Sequence, residues 1–184
     1  GRGRLASAVS YTIDLLAGVP SIVVGVFVWA VFVRNVFGSF NGLAGGIALA
    51  MIMIPIITRT VEEMLRLVPD TYREAALGLG VSRAKTILFV VIPTAKGGIV
   101  TGIILAVARA GGETAPLVLT ALGNQFFNFD LMQPMAALPL QIYSYATSPY
   151  ADWHTKAWGS ALVLILVIGL LSLTTRLATR QRAR

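Results

Sequence analysis

From Leu15 to Val33 the chain carries no charged side chain, and Asp14 and Arg34 stand at the two ends of that run. A second charge-free stretch follows from Asn35 to Thr58. A helix needs about 20 apolar residues to cross the hydrocarbon core of a bilayer, so both runs have spanning length. Because lipid offers no hydrogen bonds, a spanning segment must satisfy its backbone internally, and a helix does so. The composition agrees: 56% of residues are hydrophobic and 12% charged, where a soluble domain carries roughly a quarter charged residues. The expected fold class is all-α, a polytopic transmembrane helical bundle forming one domain.

Four spans are expected, at 15–33, 43–61, 97–122 and 157–176. Residues 35–42 are polar and contain glycine, and read as a short outer loop. The segment 130–151 is broken by Pro134, Pro139 and Pro149 and reads as an outer re-entrant or interfacial piece. Charge sets the orientation. Arg2 and Arg4, then Arg59, Arg66, Arg73, Arg83, Lys85 and Lys96, then Arg176, Arg180, Arg182 and Arg184 all fall on one side of a four-span arrangement. Arg34 and Lys156 fall on the other. The positive-inside rule places both termini and the segment between the second and third spans in the cytoplasm. A fifth span through 131–151 would carry the C-terminal arginines outside. Trp29, Trp153, Trp158, Tyr143, Tyr145 and Tyr150 lie mostly near outer boundaries, where aromatic side chains anchor a protein in the interface.

Several functions are excluded. There is no cysteine, so disulfides and thiolate chemistry are out, and His154 is the one histidine, which disfavours a histidine metal site. The net charge of +7 does not signal nucleic acid, because the basic residues flank apolar runs and form no stripe with interleaved aromatics. A phosphate-binding loop would need glycines before Lys85-Thr86, and Leu79 and Ala84 occupy those positions. No cofactor site is expected, and any ATP must be bound by another subunit.

The segment 62–96 holds the most information. Val61, Met64, Leu65 and Val68 recur at helical spacing before Pro69. Thr71 followed by Glu74 predicts a capping box that launches a short helix through Ala75, Ala76 and Leu77. Gly78 and Gly80 stop that helix, and Ser82 is placed to cap a second one running to Ile92-Pro93. The product is a cytoplasmic helix–turn–helix lying on the membrane. Physics alone allows a plain surface element or a docking element, and Glu74 can complete the cap, meet a charged partner, or do both.

Arg109 and Glu113 lie in the middle of the third expected span. An ionisable group at the centre of a spanning helix costs about 2.5–3.5 kcal/mol on insertion scales, so these two are expected to face the bundle interior or a water-filled path. Their spacing puts them on one helix face. Beside them Gly98, Gly102, Ala106 and Ala110 form a ridge of small residues suited to close helix packing. Either the pair fixes helix register, or Arg109 lines a path for an anion while Glu113 tunes its position.

Glu74-Ala75-Ala76, then Gly80, then Val90, Ile92 and Pro93 resemble the EAA loop of ABC-importer permeases, with Val90 and Ile92 in place of the commoner Ile and Leu. The resemblance implies a type I importer permease fold and a coupling helix, with Glu74, Ala75, Ala76 and Gly80, that docks on a separate ATPase. Ala108 to Leu117, Gly18 to Val23 and Pro134 to Tyr143 further resemble the PstA-like permeases of phosphate importers, and this likeness covers nearly everything after Asp14. It implies phosphate passage past Arg109 and Glu113 and a bacterial or archaeal plasma membrane. It also implies a PstC-like second permease, a PstB-like ATPase dimer and a PstS-like external phosphate-binding protein. Members of that family have six spans, so two more are expected before Gly1. A permease for another oxyanion or small solute, and a membrane scaffold or sensor that passes nothing, are the alternatives.

Overall fold

The computed structural model describes residues 3–126 and 128–180, so that Arg2, Arg182 and Arg184 lie outside the described residues. Among the described residues three helices are long and apolar enough to cross a membrane: α3 (Gly42–Arg66), α5 (Arg83–Ala110) and α8 (Ala151–Arg180), whose apolar part is Ala151–Thr174. Two further helices, α1 (Arg4–Gly18) and α2 (Ser21–Phe37), pass the same test only together, and they are bent by 99° at the break between them. Short helices complete the chain: α4 (Asp70–Gly78), α6 (Ala115–Thr120) and α7 (Leu138–Ala146). Among the described residues the only β feature is an isolated bridge between Leu122 and Met135.

The expected span at 15–33 differs from the structure, which places a corner inside it. Gly18 ends α1, Val19 is extended, and Pro20 precedes the first residue of α2. Proline has no N–H to continue the ladder and pushes the residue before it out of the helical region, so the chain turns here although no charge marks the spot. α2 widens to a π-helix from Trp29 to Phe37, and Gly38 ends it in the left-handed region at φ 69°.

The start of α3 is held by side chain and backbone together. Asn41 is fully buried; its Oδ1 accepts from the Ala44 N–H at 2.8 Å, and its Nδ2 donates to the Ser39 carbonyl at 2.9 Å. The N–H groups of Asn41, Gly42 and Leu43 donate to the carbonyls of Thr120, Gln133 and Leu131 at 3.0, 3.0 and 2.9 Å. Orphan donors at a helix start are thereby satisfied by the carbonyls of Thr120, Leu131 and Gln133.

α3 packs along α5 on the small-residue ridge. A Cβ at Gly98 would run into Met64, one at Gly102 would run into Thr60, and Ala106 is fully buried. α2 crosses α6, where Gly25 lies against Pro116, and Val24, Val28, Val33, Ala44 and Ala48 form the largest buried cluster. Small residues let backbones approach closely where hydrophobic burial gives no drive between helices. The outer faces stay bare: only 6% of the apolar stretch of α8 is buried within the chain. Lipid is the solvent that such a surface fits.

Candidate coupling and translocation sites

α3 does not end at the expected boundary near residue 61 but continues to Arg66, and Arg59, Glu62 and Arg66 line its last turns. Arg59 pairs with Asp14 of α1 and, at 2.8 Å, with Glu62, which also accepts from Arg66 at 2.5 Å. The linker that follows packs Val68 against Val91 and Ala95, with Met64, Leu65 and Ile99 around them. α4 then begins at Asp70.

The expected capping box is not formed. Pro69 holds the position before α4, no side chain caps it, and Thr71 lies inside the helix rather than ahead of it. Proline's fixed φ suits the extended residue ahead of a helix, where its missing N–H costs no helical bond, and Asp70 supplies an acidic group to the first turn. Glu74 and Ala75 stand exposed on α4, and Ala76 is its buried residue where the helix lies against Ile87–Val91. The end of α4 is closed by paired hydrogen bonds: Val81 N–H to the Ala76 carbonyl at 3.1 Å and Gly80 N–H to the Leu77 carbonyl at 2.9 Å. That pattern requires a left-handed residue, and Gly80 takes φ 80°. Leu79 projects at the turn, 84% exposed.

Ser82 occupies the position before α5, but its hydroxyl caps nothing; its carbonyl accepts from the Thr86 N–H at 2.9 Å. The second helix of the elbow does not stop at Ile92-Pro93. It runs on as α5 to Ala110, widening to a π-helix at Ile87–Val91 just before Pro93. The wider turn makes room for a ring that would otherwise crowd the Phe89 carbonyl. Elbow and span are therefore one rod.

The third expected span also ends differently. α5 stops at Ala110; Gly111 and Gly112 fold into a tight turn, and Glu113 donates its N–H to the Ala110 carbonyl at 3.1 Å. Pro116 cannot donate to the Gly112 carbonyl, and the two glycines lower the cost of leaving the helix. Arg109 and Glu113 thus sit at a helix break rather than mid-helix. Arg109 Nε lies 3.9 Å from Glu113 Oε1, with the arginine side chain 67% exposed and the glutamate 18%. The arginine does not point into this chain's own interior, because the flank of α5 that carries it is left open. The break faces outward from the bundle, and among the described residues the Arg109 guanidinium meets only Glu113.

The sequence model of the family described as "Binding-protein-dependent transport system inner membrane component" matches residues 1–183. The chain belongs to this family. It is accordingly a multi-pass membrane component of a transport system. The chain is 46% identical over 173 residues to "Phosphate transport system permease protein PstA" of Xylella fastidiosa (strain 9a5c), covering 94% of this chain and 60% of that protein. It is 45% identical over 174 residues to the protein of the same name from Haemophilus influenzae, covering 95% and 61%. With PstA 1 of Mycobacterium tuberculosis (strain ATCC 25618 / H37Rv) it shares 42% over 187 residues, covering 99% and 61%. The chain thus spans about 60% of the length of these relatives. Among solved structures, the MetNI methionine ABC transporter in an inward-facing form superposes with a TM-score of 0.81, covering 98% of this chain and 77% of that one. At 20% identity this likeness speaks for the fold alone.

The ion cluster of Asp14, Arg59, Glu62 and Arg66 and the buried Asn41 cap were not singled out from the sequence. Arg59, Glu62 and Arg66 do recur at helical spacing, and Asn41 stands directly before an apolar run. Both signals are present in hindsight.

Proposed function

We propose that this chain is the permease subunit of an ATP-driven importer of inorganic phosphate across the plasma membrane. An external binding protein delivers the anion to a path between this chain and a second permease. A cytoplasmic ATPase dimer supplies the work through the elbow at Glu74, Ala75 and Ala76, and both ends of this chain face the cytoplasm. The observation that carries the reading is identity of 42–46% with phosphate transport permeases over nearly the whole chain. An exposed α4 closed by a rigid turn supports the coupling part, since a lever must present a stiff surface to its partner.

Arg109 is the residue proposed to meet the anion. A guanidinium offers a planar fork of donors matched to tetrahedral oxyanions and holds its charge at any physiological pH. Glu113 draws one edge of that fork toward the turn and lowers the net charge of the break, so the anion is attracted without being trapped. The ATPase is proposed to close on nucleotide, move α4 and α5 together, and so alternate access to the path. Bond making and breaking take place in the ATPase and not in this chain.

Uptake of labelled phosphate, sulfate and molybdate into vesicles holding the full complex tests the assignment. Phosphate-selective uptake is expected. Uptake of another oxyanion in its place would move the substrate and leave the fold reading intact; assembly with an ATPase and no uptake of any solute would support a scaffold or sensor.

A further inference from the structure

The junction between α3 and α4 contains a bond that the backbone by itself could not make. Within a continuing helix the Leu65 carbonyl would accept from the N–H four residues on, and that residue is Pro69, which has none. The structure fills the vacancy from α4: Arg73 Nη2 donates to the Leu65 carbonyl at 2.7 Å. The other arm of the same guanidinium, Nη1, pairs with Asp70 Oδ1 at 2.8 Å. Asp70 therefore holds the fork in place while its second arm caps the spanning helix. Among the described residues this is the side-chain hydrogen bond that runs from α4 to α3. α4 also reaches α3 through the linker 67–69, whose buried Val68 packs against Val91 and Ala95 of α5, and through its own contact with Ile87–Val91.

At its far end α3 is bound just as firmly. The N–H groups of Asn41, Gly42 and Leu43 are taken up by the carbonyls of Thr120, Gln133 and Leu131. One helix thus joins the cytoplasmic elbow to the outer segment 120–133. At its inner end the direct side-chain tie to α4 is the Arg73 bond.

We propose that Arg73 is a positioning residue that makes α4 and α3 move as one body, so that displacement of α4 is carried along α3 to the outer segment. The proposal rests on the reading of α4 as the element moved by an ATPase. Without Arg73 the direct tie between α4 and α3 is lost, α4 is held only through α5 and the linker 67–69, and α4 follows its partner while α3 lags. Lysine, with one ammonium in place of a fork, can serve Leu65 or Asp70 but not both in the same geometry.

The experiment uses the full-length permease in complex with its ATPase and binding protein. Spin labels on Thr71→Cys in α4 and Ile54→Cys in α3, in a background whose other cysteines are replaced, report the joint directly. With Arg73 present, one narrow distance is expected, unchanged by ATP. In Arg73→Ala the distance distribution broadens and shifts on ATP binding. The ATPase still co-purifies, uptake falls about tenfold while hydrolysis continues, and ATP consumed per anion rises accordingly; the size is that of one charge-assisted hydrogen bond. Arg73→Lys recovers part of the loss. A narrow distance together with an unchanged ratio of ATP to anion in Arg73→Ala would overturn the proposal, and so would loss of ATPase binding, which would make Arg73 a docking residue. Failure of the wild-type complex to import phosphate would strike at the substrate instead, because the label distances need no substrate.

Discussion

Replacing Gly25 by Ala tests how the helix break at Arg109 and Glu113 is held in place. A Cβ at Gly25 would lie 2.7 Å from the Pro116 Cα and 3.3 Å from Leu119 Cδ1. The first of these is ring-bound backbone and cannot rotate away, so α2 and α6 must separate. Overpacking of this kind costs typically about 1–3 kcal/mol, and a backbone obstacle puts the expected cost near the upper end. Alanine also gains roughly 0.8–1 kcal/mol over glycine in a helix interior. The control is Gly46→Ala in α3, where nothing lies within 4 Å, so that it takes the helical gain without the clash. Reversible unfolding by SDS in mixed micelles should therefore separate the two variants by about 2–3 kcal/mol, with Gly25→Ala the weaker. Because Pro116 lies in the first turn of α6, just after the turn that holds Glu113, uptake should fall as well. A difference under about 0.5 kcal/mol would refute the close α2–α6 crossing, since that is the scatter of substitutions that touch nothing.

Three further outcomes follow from the same geometry. Asn41→Ala removes a buried cap and should cost about 1–2 kcal/mol in the same unfolding assay, at the upper end of cap deletions because the site is closed to water. Arg109→Gln should abolish phosphate uptake while the complex still assembles, as judged by size-exclusion chromatography; loss of assembly would mean that the arginine fixes structure instead. Glu74→Lys should lower ATPase co-purification and stop transport, and full transport with that variant would remove Glu74 from the interface.

The long apolar helices were legible because charge-free runs are read directly by hydropathy, and α3 and α8 follow them. The breaks were not. A corner at Gly18–Pro20 and another at Gly111–Pro116 lie inside apolar sequence, where no charge announces a boundary, and only the glycine–proline pairing marks them. Pro55 and Pro93 carry the same residue type and yet sit within continuous helices. What separates the two outcomes is the neighbourhood: a glycine two to four residues ahead of the proline at the breaks, and a π-helical widening before Pro93. The elbow was legible as two helices joined by a glycine turn, and Gly80 adopts the left-handed conformation its position requires. Thr71 and Glu74 have the spacing of a capping box, but Pro69 starts the helix too early for Thr71 to act. Arg73 is legible in the sequence only as one more charge on the basic side. Its partner is a backbone carbonyl orphaned by Pro69, and a hydrogen bond of that kind leaves no pattern in side-chain types.

The account stands or falls on whether the free face of α4 is a seat for another protein. A photoactivatable cross-linker on Ala75→Cys, in the assembled transporter, reads this directly. It should join the chain to the ATPase subunit in high yield, and the yield should change when ATP is added. Adducts only with lipid, or with this chain's own helices, would contradict it.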